Sequence, residues 1–467
     1  MDIDAALRRT ILILIFLGTF AGCATSSLFN PYPSQAIQYK NAISFGDYEV
    51  DQSRSVLNEL EQKSDNADFI LYMMESGRIN QLNGNYLSSK SDFERVIDAF
   101  EQQDLQATIR LHEVAAQSTS LISNDNAIPY SGAGYERIFT HHHQALNYLL
   151  LGDLDGAAVE FRKVALEQRV LLEQHESEIA DAYQEAEKNE IDIDSLSYEF
   201  SGMDRVAGSV KTSFQNGYTF YLSAAFWEAT GDYNAALIDY KKAYEINENN
   251  HYLKQDIARI SKKMGASTKS NDLNDMGVGQ GAVVVLFEEG FVPEKEEITI
   301  PIPTFDGGLI NLAFPYYETQ GWRVSPKLRV TDSNFEELGY SQEVVNVGVL
   351  AVKNLKEQIP KLLVRQALRG MAKYRIQKKA TNQAGIAGQF LANVYNIISE
   401  SADRRSWLTL PRTAQVIRLN LDEGVQEVSL STPNRETKVT LDVKKNKTQF
   451  LRVYSANNRI MTQVIAL

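Results

Sequence analysis

The sequence predicts an α+β, multi-domain protein: an N-terminal helical repeat domain, then a mixed domain with an antiparallel β-sandwich and a helical insertion. Three observations carry this. From about residue 38 to 265 prolines are nearly absent and apolar residues recur at three- and four-residue spacing, the period of an amphipathic helix. A Gly/Ser/Asn-rich stretch from Met264 to Gly281 interrupts that pattern as a linker does. Beyond it, short strand-like runs alternate with turn residues. At 467 residues, 43% hydrophobic and net charge −13, the chain has room for two or three domains, and its composition excludes both a polytopic membrane protein and a disordered one. The acidic balance argues against nucleic acid as a partner, and a single cysteine excludes a disulfide scaffold and a Cys-rich zinc site.

Residues 1–22 read as a signal peptide. Arg8 and Arg9 precede the apolar run Ile11–Leu17, which exits through Gly18, Thr19, Ala21 and Gly22; the run is too short to span a bilayer, which takes about 20 residues. Phe20-Ala21-Gly22-Cys23 resembles the bacterial lipobox, with Phe20 where Leu is usual. That resemblance implies acylation at Cys23, and Ala24 in place of Asp implies the periplasmic face of the outer membrane. Residues 23–37, with Pro31 and Pro33, read as a tether.

Residues 38–265 form the repeat array. Tyr221 to Ala243, with Ala224, the turn Gly231-Asp232, and Ala236, Tyr240 and Ala243 behind it, is similar to a tetratricopeptide repeat (TPR). A second copy centres on Gly152-Asp153 and a weaker one on Gly84-Asn85. The last interval is too long for the repeat period, which places an overlong helix from Ala157 to about Lys188 and a loop from Asp192 to Gly208. Residues 266–280 form the linker. In 281–467, strands are expected at 282–287, 297–302, 309–313 and 327–331, and at 414–419, 426–430, 438–443, 449–455 and 459–465. A helical insertion is expected over about 342–402, interrupted at Pro360, with the C-terminal strands in 412–467.

The segments Gly134-Tyr135-Glu136-Arg137, Glu288 through Lys295, Pro301-Ile302-Pro303, Arg365 through Arg369 and Asp403 through Pro411, together with the repeats, resemble a family of uncharacterised bacterial TPR-containing outer-membrane lipoproteins. The resemblance implies an architecture and a location, and no activity. His141-His142-His143 stands outside its pattern.

Candidate chemistry is sparse. Three consecutive histidines on a helix point about 100° apart and cannot share one metal, so His141–His143 are expected at a helix start, partly exposed. Gly277-x-Gly279-x-Gly281 precedes a strand and opens no helix, so it is no phosphate loop. No motif of nucleophilic, metal or phosphate chemistry is present, so no catalytic residue, metal or cofactor is expected. From Lys353 to Ala380 there are nine basic residues against Glu357 alone. Lys361, Arg365, Arg369 and Lys373 recur every four residues as a stripe that either faces an anionic partner or meets the chain's own acidic helices. Asp403, Arg405 and Trp407 read as a ligand-stacking platform or as a turn that anchors the insertion to the sandwich.

The function expected from all this is a lipid-anchored periplasmic scaffold of the outer membrane. It would bind periplasmic or outer-membrane proteins through its TPR-like repeats in cell-envelope assembly or maintenance. The alternative is a glycan- or anionic-lipid-binding module acting through the C-terminal β domain.

Overall fold

The structure, a computed structural model, describes residues 31–44, 50–63, 67–111, 125–266, 274–303, 309–322, 324–399, 401–457 and 459–467. The expected signal peptide, Cys23, the start of the tether and most of the linker lie outside the described residues. Of Lys373 and residues 376–399 only the backbone is described.

The chain is mixed α+β. Among the described residues eleven helices precede the first strand: α1 (Tyr32–Ser44), α2 (Val50–Gln62), α3 (Phe69–Leu82), α4 (Tyr86–Leu111), α5 (Gly134–Leu150), α6 (Leu154–Lys188), α7 (Ile193–Ser197), α8 (Asp204–Ala207), α9 (Gly217–Thr230), α10 (Tyr233–Ile246) and α11 (His251–Lys263). Strands β1 (Gln280–Glu289), β2 (Glu296–Pro303), β3 (Leu309–Tyr316), β4 (Arg329–Thr331), β5 (Glu337–Tyr340) and β6 (Gln342–Asn346) follow. Then come α12 (Val347–Ser399) and β7 (Thr413–Asp422), β8 (Gly424–Thr432), β9 (Arg435–Val443), β10 (Thr448–Ala456) and β11 (Arg459–Ala466).

Three helical hairpins, α3/α4, α5/α6 and α9/α10, turn in the same way. Gly84, Gly152 and Gly231 have φ of +82°, +78° and +92°, and no atom sits where their side chains would be, so backbone conformation selects glycine there, not space. Each glycine N–H donates to the carbonyl three residues back, and the next N–H to the carbonyl five back, as in Asp153 to Tyr148 (2.8 Å) and Asp232 to Trp227 (2.9 Å). This double bond closes a helix C-terminus. The aspartate then starts the next helix: Asp153 accepts from the Gly156 N–H (2.8 Å) and Asp232 from that of Ala235 (3.0 Å). One Gly-Asp pair thus stops one helix and caps another. The overlong helix expected after Ala157 is α6, 35 residues long.

The first helices of the hairpins are enclosed. Ile70–Leu82 of α3 and Gly217–Glu228 of α9 are buried at every residue, and α5 is buried at most. Helices apolar all round need cover on every side. Their second cover is a five-stranded sheet in the order β11-β10-β1-β7-β6. Ala282, Val284, Leu286 and Glu288 of β1 share one face with Arg418 of β7 and Phe450, Arg452 and Tyr454 of β10, and that face meets the helices. Against the opposite face lies a four-stranded sheet, β5-β4-β8-β9, with Gly339 of β5 over Ile417 and Leu419 of β7. One continuous core runs through helices, central sheet and outer sheet.

Four expectations are corrected. The sandwich is not purely antiparallel, because β1 inserts between β7 and β10 and pairs with β10 in parallel. Its run Ala282–Phe287, apolar without alternation, is the mark of a strand covered on both faces. The tether ends early: α1 starts at Tyr32, with Tyr32, Pro33 and Ala36 buried, since proline is tolerated in a helix's first turn. The insertion begins with a strand, as β6 pairs with β7. The helix after it does not break at Pro360; α12 spans 53 residues, held by buried Val352, Leu355, Ile359 and Leu363 to either side.

Candidate functional site

Residues 401–412 connect α12 to β7 without regular structure and cross the inner helices. Glu75 of α3 accepts the Leu408 N–H (2.9 Å), the Tyr32 hydroxyl (2.7 Å) and the Thr409 hydroxyl, while Glu136 of α5 accepts the Trp407 N–H (2.8 Å). Two carboxylates, one from each of two hairpins, thus grip consecutive amides of an extended segment. Trp407 is fully buried, its ring 5.8 Å from Phe93 and 5.6 Å from His143. It is therefore no ligand platform, and it anchors its segment to the helical half, not the insertion to the sandwich. Burial raises the Glu75 carboxyl to about 7 against the opposing hydrogen bonds from Thr409, Tyr32 and Leu408.

Two further junctions fasten helices to sheet. Glu288 of β1 receives Arg78 of α3, Arg452 of β10 (2.9 and 3.0 Å) and the Tyr218 hydroxyl of α9 (3.1 Å). Glu228 of α9 receives Arg259 of α11 (3.0 and 2.6 Å) and Arg418 of β7 (3.1 and 3.0 Å). Burial alone would raise both carboxyls, but the paired guanidiniums outweigh it, holding Glu228 at about 2 and Glu288 well below its ordinary value.

The histidines are buried mid-helix, not partly exposed at a helix start, because α5 is packed by α3, α4, α6, α9 and α12. They point three ways: His141 Nδ1 to Glu160 of α6 (2.7 Å), His142 Nδ1 to the Thr219 hydroxyl of α9 (3.1 Å), and His143 into Phe93, Phe139 and Trp407. Burial holds His142 down at about 3 and His143 well below its ordinary value, so both are neutral. Among the described residues no His, Cys, Asp or Glu cluster is arranged to hold a metal.

The basic stripe and the Asp403–Arg405 pair, far apart in sequence, meet at one cleft of about 180 Å³. Its walls are the loop from Asp125 to Ala133 leading into α5, the first half of α12, Lys295 and the 403–405 turn. Asp125 is the hub: it accepts from Arg369 and from Gln366 (2.7 Å), and pairs with Arg365 (3.2 Å). Arg405 is saturated, donating to both oxygens of Asp403 (2.9 and 2.7 Å), to Asp68, and to the carbonyls of Ile128 (2.9 Å) and Asp125 (3.1 Å). Burial would raise Asp403, but Arg405 outweighs it and holds it low. Lys295 donates to the Arg405 carbonyl (2.8 Å), and burial lowers its ammonium pKa.

The stripe is not one open face along its length. A four-residue step on a helix turns about 400°, so each residue is rotated some 40° from the last. Lys361 is half-exposed, Arg365 a third exposed and Arg369 only 1% exposed, while the Lys373 side chain lies outside the description. Carboxylates of the helical half meet the run: Lys356 pairs with Asp204 (2.7 Å) and Lys361 with Glu178 (3.0 Å). Sequence reasoning missed Glu75, Glu136, Asp125, Lys295 and both arginine junctions. One signal was available: an ion inside an apolar element, as Glu75 and Arg78 are in α3, is a buried ion with a partner.

No family model, no curated protein and no solved structure matches this chain. Among the described residues no helix is long and apolar enough to cross a membrane.

Proposed function

We propose that this chain is a lipid-anchored, periplasm-facing outer-membrane protein, without catalytic activity of its own, that serves as a rigid scaffold in cell-envelope assembly or maintenance. The three hairpins are read as degenerate TPR-like repeats. The observation that carries the reading is the fusion of hairpins and sheet into one core, with Glu75, Glu136, Glu228 and Glu288 locking the inner helices beneath the chain's own β-structure. A concave repeat surface would be lined by those inner helices. A protein partner therefore meets the outer helices α4, α6 and α10, which keep Leu87, Leu166 and Ile238 exposed. The anchor rests on Cys23. Seven residues separate it from Pro31, the residue before α1, so the eight steps reach at most about 30 Å at 3.3–3.6 Å per residue.

Mass spectrometry of the mature protein tests the anchor: a diacylglycerol-modified, acylated Cys23 is expected, with Cys23→Ala lost from the outer-membrane fraction. An unmodified cysteine overturns it. Cross-linking from α6 in intact cells should recover a defined envelope protein; recovery of none removes the scaffold role. The alternative, an envelope ligand taken up directly, is favoured by one observation, the cleft over Asp125, though it lies between the two halves and not on the β domain alone.

A further inference from the structure

We propose that the cleft between the Asp125–Ala133 loop and α12 is a binding site for a small phosphomonoester-type anion, held by Lys295, Lys361 and Arg365. The inference deepens the second reading above and rests on it only for the source of the ligand, an envelope lipid headgroup or a free phosphorylated solute.

Charge accounting leads to it. The two carboxylates that line the cleft are already occupied, Asp125 by buried Arg369 and by Gln366, and Asp403 by the Nε/Nη2 edge of the Arg405 guanidinium. Their negative charge is cancelled at hydrogen-bond distance, and Arg405 has no donor left over. Three cations remain. Lys295 donates to a carbonyl oxygen, and among the described residues no carboxylate forms an ion pair with it at contact distance, though Asp403 and Glu136 act on it through space. Arg365 gives one nitrogen to Asp125, while its Nε is buried with no hydrogen-bond partner among the described residues. Among the described residues Lys361 pairs with Glu178, in a half-exposed pair that solvent screens. A buried donor without an acceptor is rare in folded proteins, and the residue that carries this one lines the cleft beside two lysines.

Size narrows the class. About 180 Å³ is below the range of drug-sized pockets. That suits a phosphate with a small substituent. Three cations match a dianion better than a single carboxylate. Ser131, Gly132 and Ala133 also line the cleft, with Gly132 at φ +72°, and lead into the 17-residue α5, whose Glu136 caps the helix start through the Ala133 N–H (2.8 Å). The cleft also lies close to the expected tether: Arg405 binds Asp68, one turn before Tyr72 on the helical side, and the Tyr72 ring is 6.3 Å from that of Tyr32.

The test uses the full, lipidated chain in neutral detergent micelles, titrated calorimetrically with glycerol 3-phosphate in one arm and with phosphatidic acid doped into the micelles in the other. Saturable one-to-one binding is expected in at least one arm. It should weaken about tenfold or more in Lys361→Gln and in Arg365→Gln, and be unchanged in Lys444→Gln on the far β-turn. An unchanged Tm in Lys361→Gln keeps loss of binding separate from loss of fold. Binding in the first arm alone assigns a free solute, and in the second alone a headgroup. No saturable binding in either arm at millimolar probe, or binding that Lys361→Gln and Arg365→Gln leave intact, overturns the proposal. An unmodified Cys23 leaves both arms readable, so failure of the anchor and failure of the cleft are told apart.

Discussion

The Glu288 junction and the Asp125 hub are built from the same parts, a carboxylate facing two arginines, yet they sit at opposite ends of a gradient of exposure. At Glu288 both arginines are sealed and every carboxylate oxygen is used. At Asp125 one arginine is sealed, the next is a third exposed, and a lysine beyond them is half-exposed. A sealed junction keeps even its unpaired donor, Arg78 Nη1, out of a ligand's reach and works as a fastener between helices and sheet. The graded one fastens at its inner end and offers donors at its outer end. Enclosure, more than residue type, decides which role a charged cluster takes.

Substitutions can break or sharpen that contrast. The largest effect is expected from Glu288→Ala, which strands Arg78 and Arg452 in the core: a loss of about 3–5 kcal/mol by urea denaturation, or failure to accumulate folded protein. A loss below 1 kcal/mol would show that the junction is hydrated and not sealed.

The second effect depends on pH. The Glu75 carboxyl lies near 4.5 when unfolded and at about 7 when folded, so the folded state holds the proton more tightly. Its contribution is complete below about pH 4.5, falls as pH rises, and is gone above about 7. The shift corresponds to about 3 kcal/mol. Glu75→Gln, which keeps an acceptor for Leu408 and Tyr32, should flatten stability between pH 5 and 8; a pH profile parallel to wild type would remove Glu75 as the cause.

Smaller still is Gly231→Ala, where an L side chain at φ +92° should cost about 1 kcal/mol with no new contact, read as a lowered Tm. At the open end of the gradient, Lys361→Gln should change stability by no more than about 0.5 kcal/mol, because its pair with Glu178 is exposed. A larger loss would make the cleft a fastener like Glu288.

Much of the fold was legible along the chain. The Gly-Asp turns announced themselves because a positive φ and a helix cap are local requirements that few residues meet. The five C-terminal strands lie where alternation and turn residues placed them. Pairing was not legible: nothing local to β1 says that it lies parallel to β10, some 160 residues away, although its unbroken apolar run did say that both faces are covered. The candidate site was legible only in pieces. The stripe and the Asp403–Arg405 turn were visible separately, while Asp125, the residue that unites them, is an ordinary loop aspartate in the sequence.

By itself, then, the sequence determined the helical hairpins, the strand positions, the acidic balance and the expectation of a lipidated Cys23, because each depends on neighbours within a few residues. Only the tertiary structure decided that the inner helices are roofed by the chain's own sheet, that three histidines are buried core residues, and that a basic stripe turns from solvent into the protein along its length. Those outcomes depend on which distant surface arrives to exclude water, and the cost of a buried charge is set by that surface and its partners, not by the residue alone.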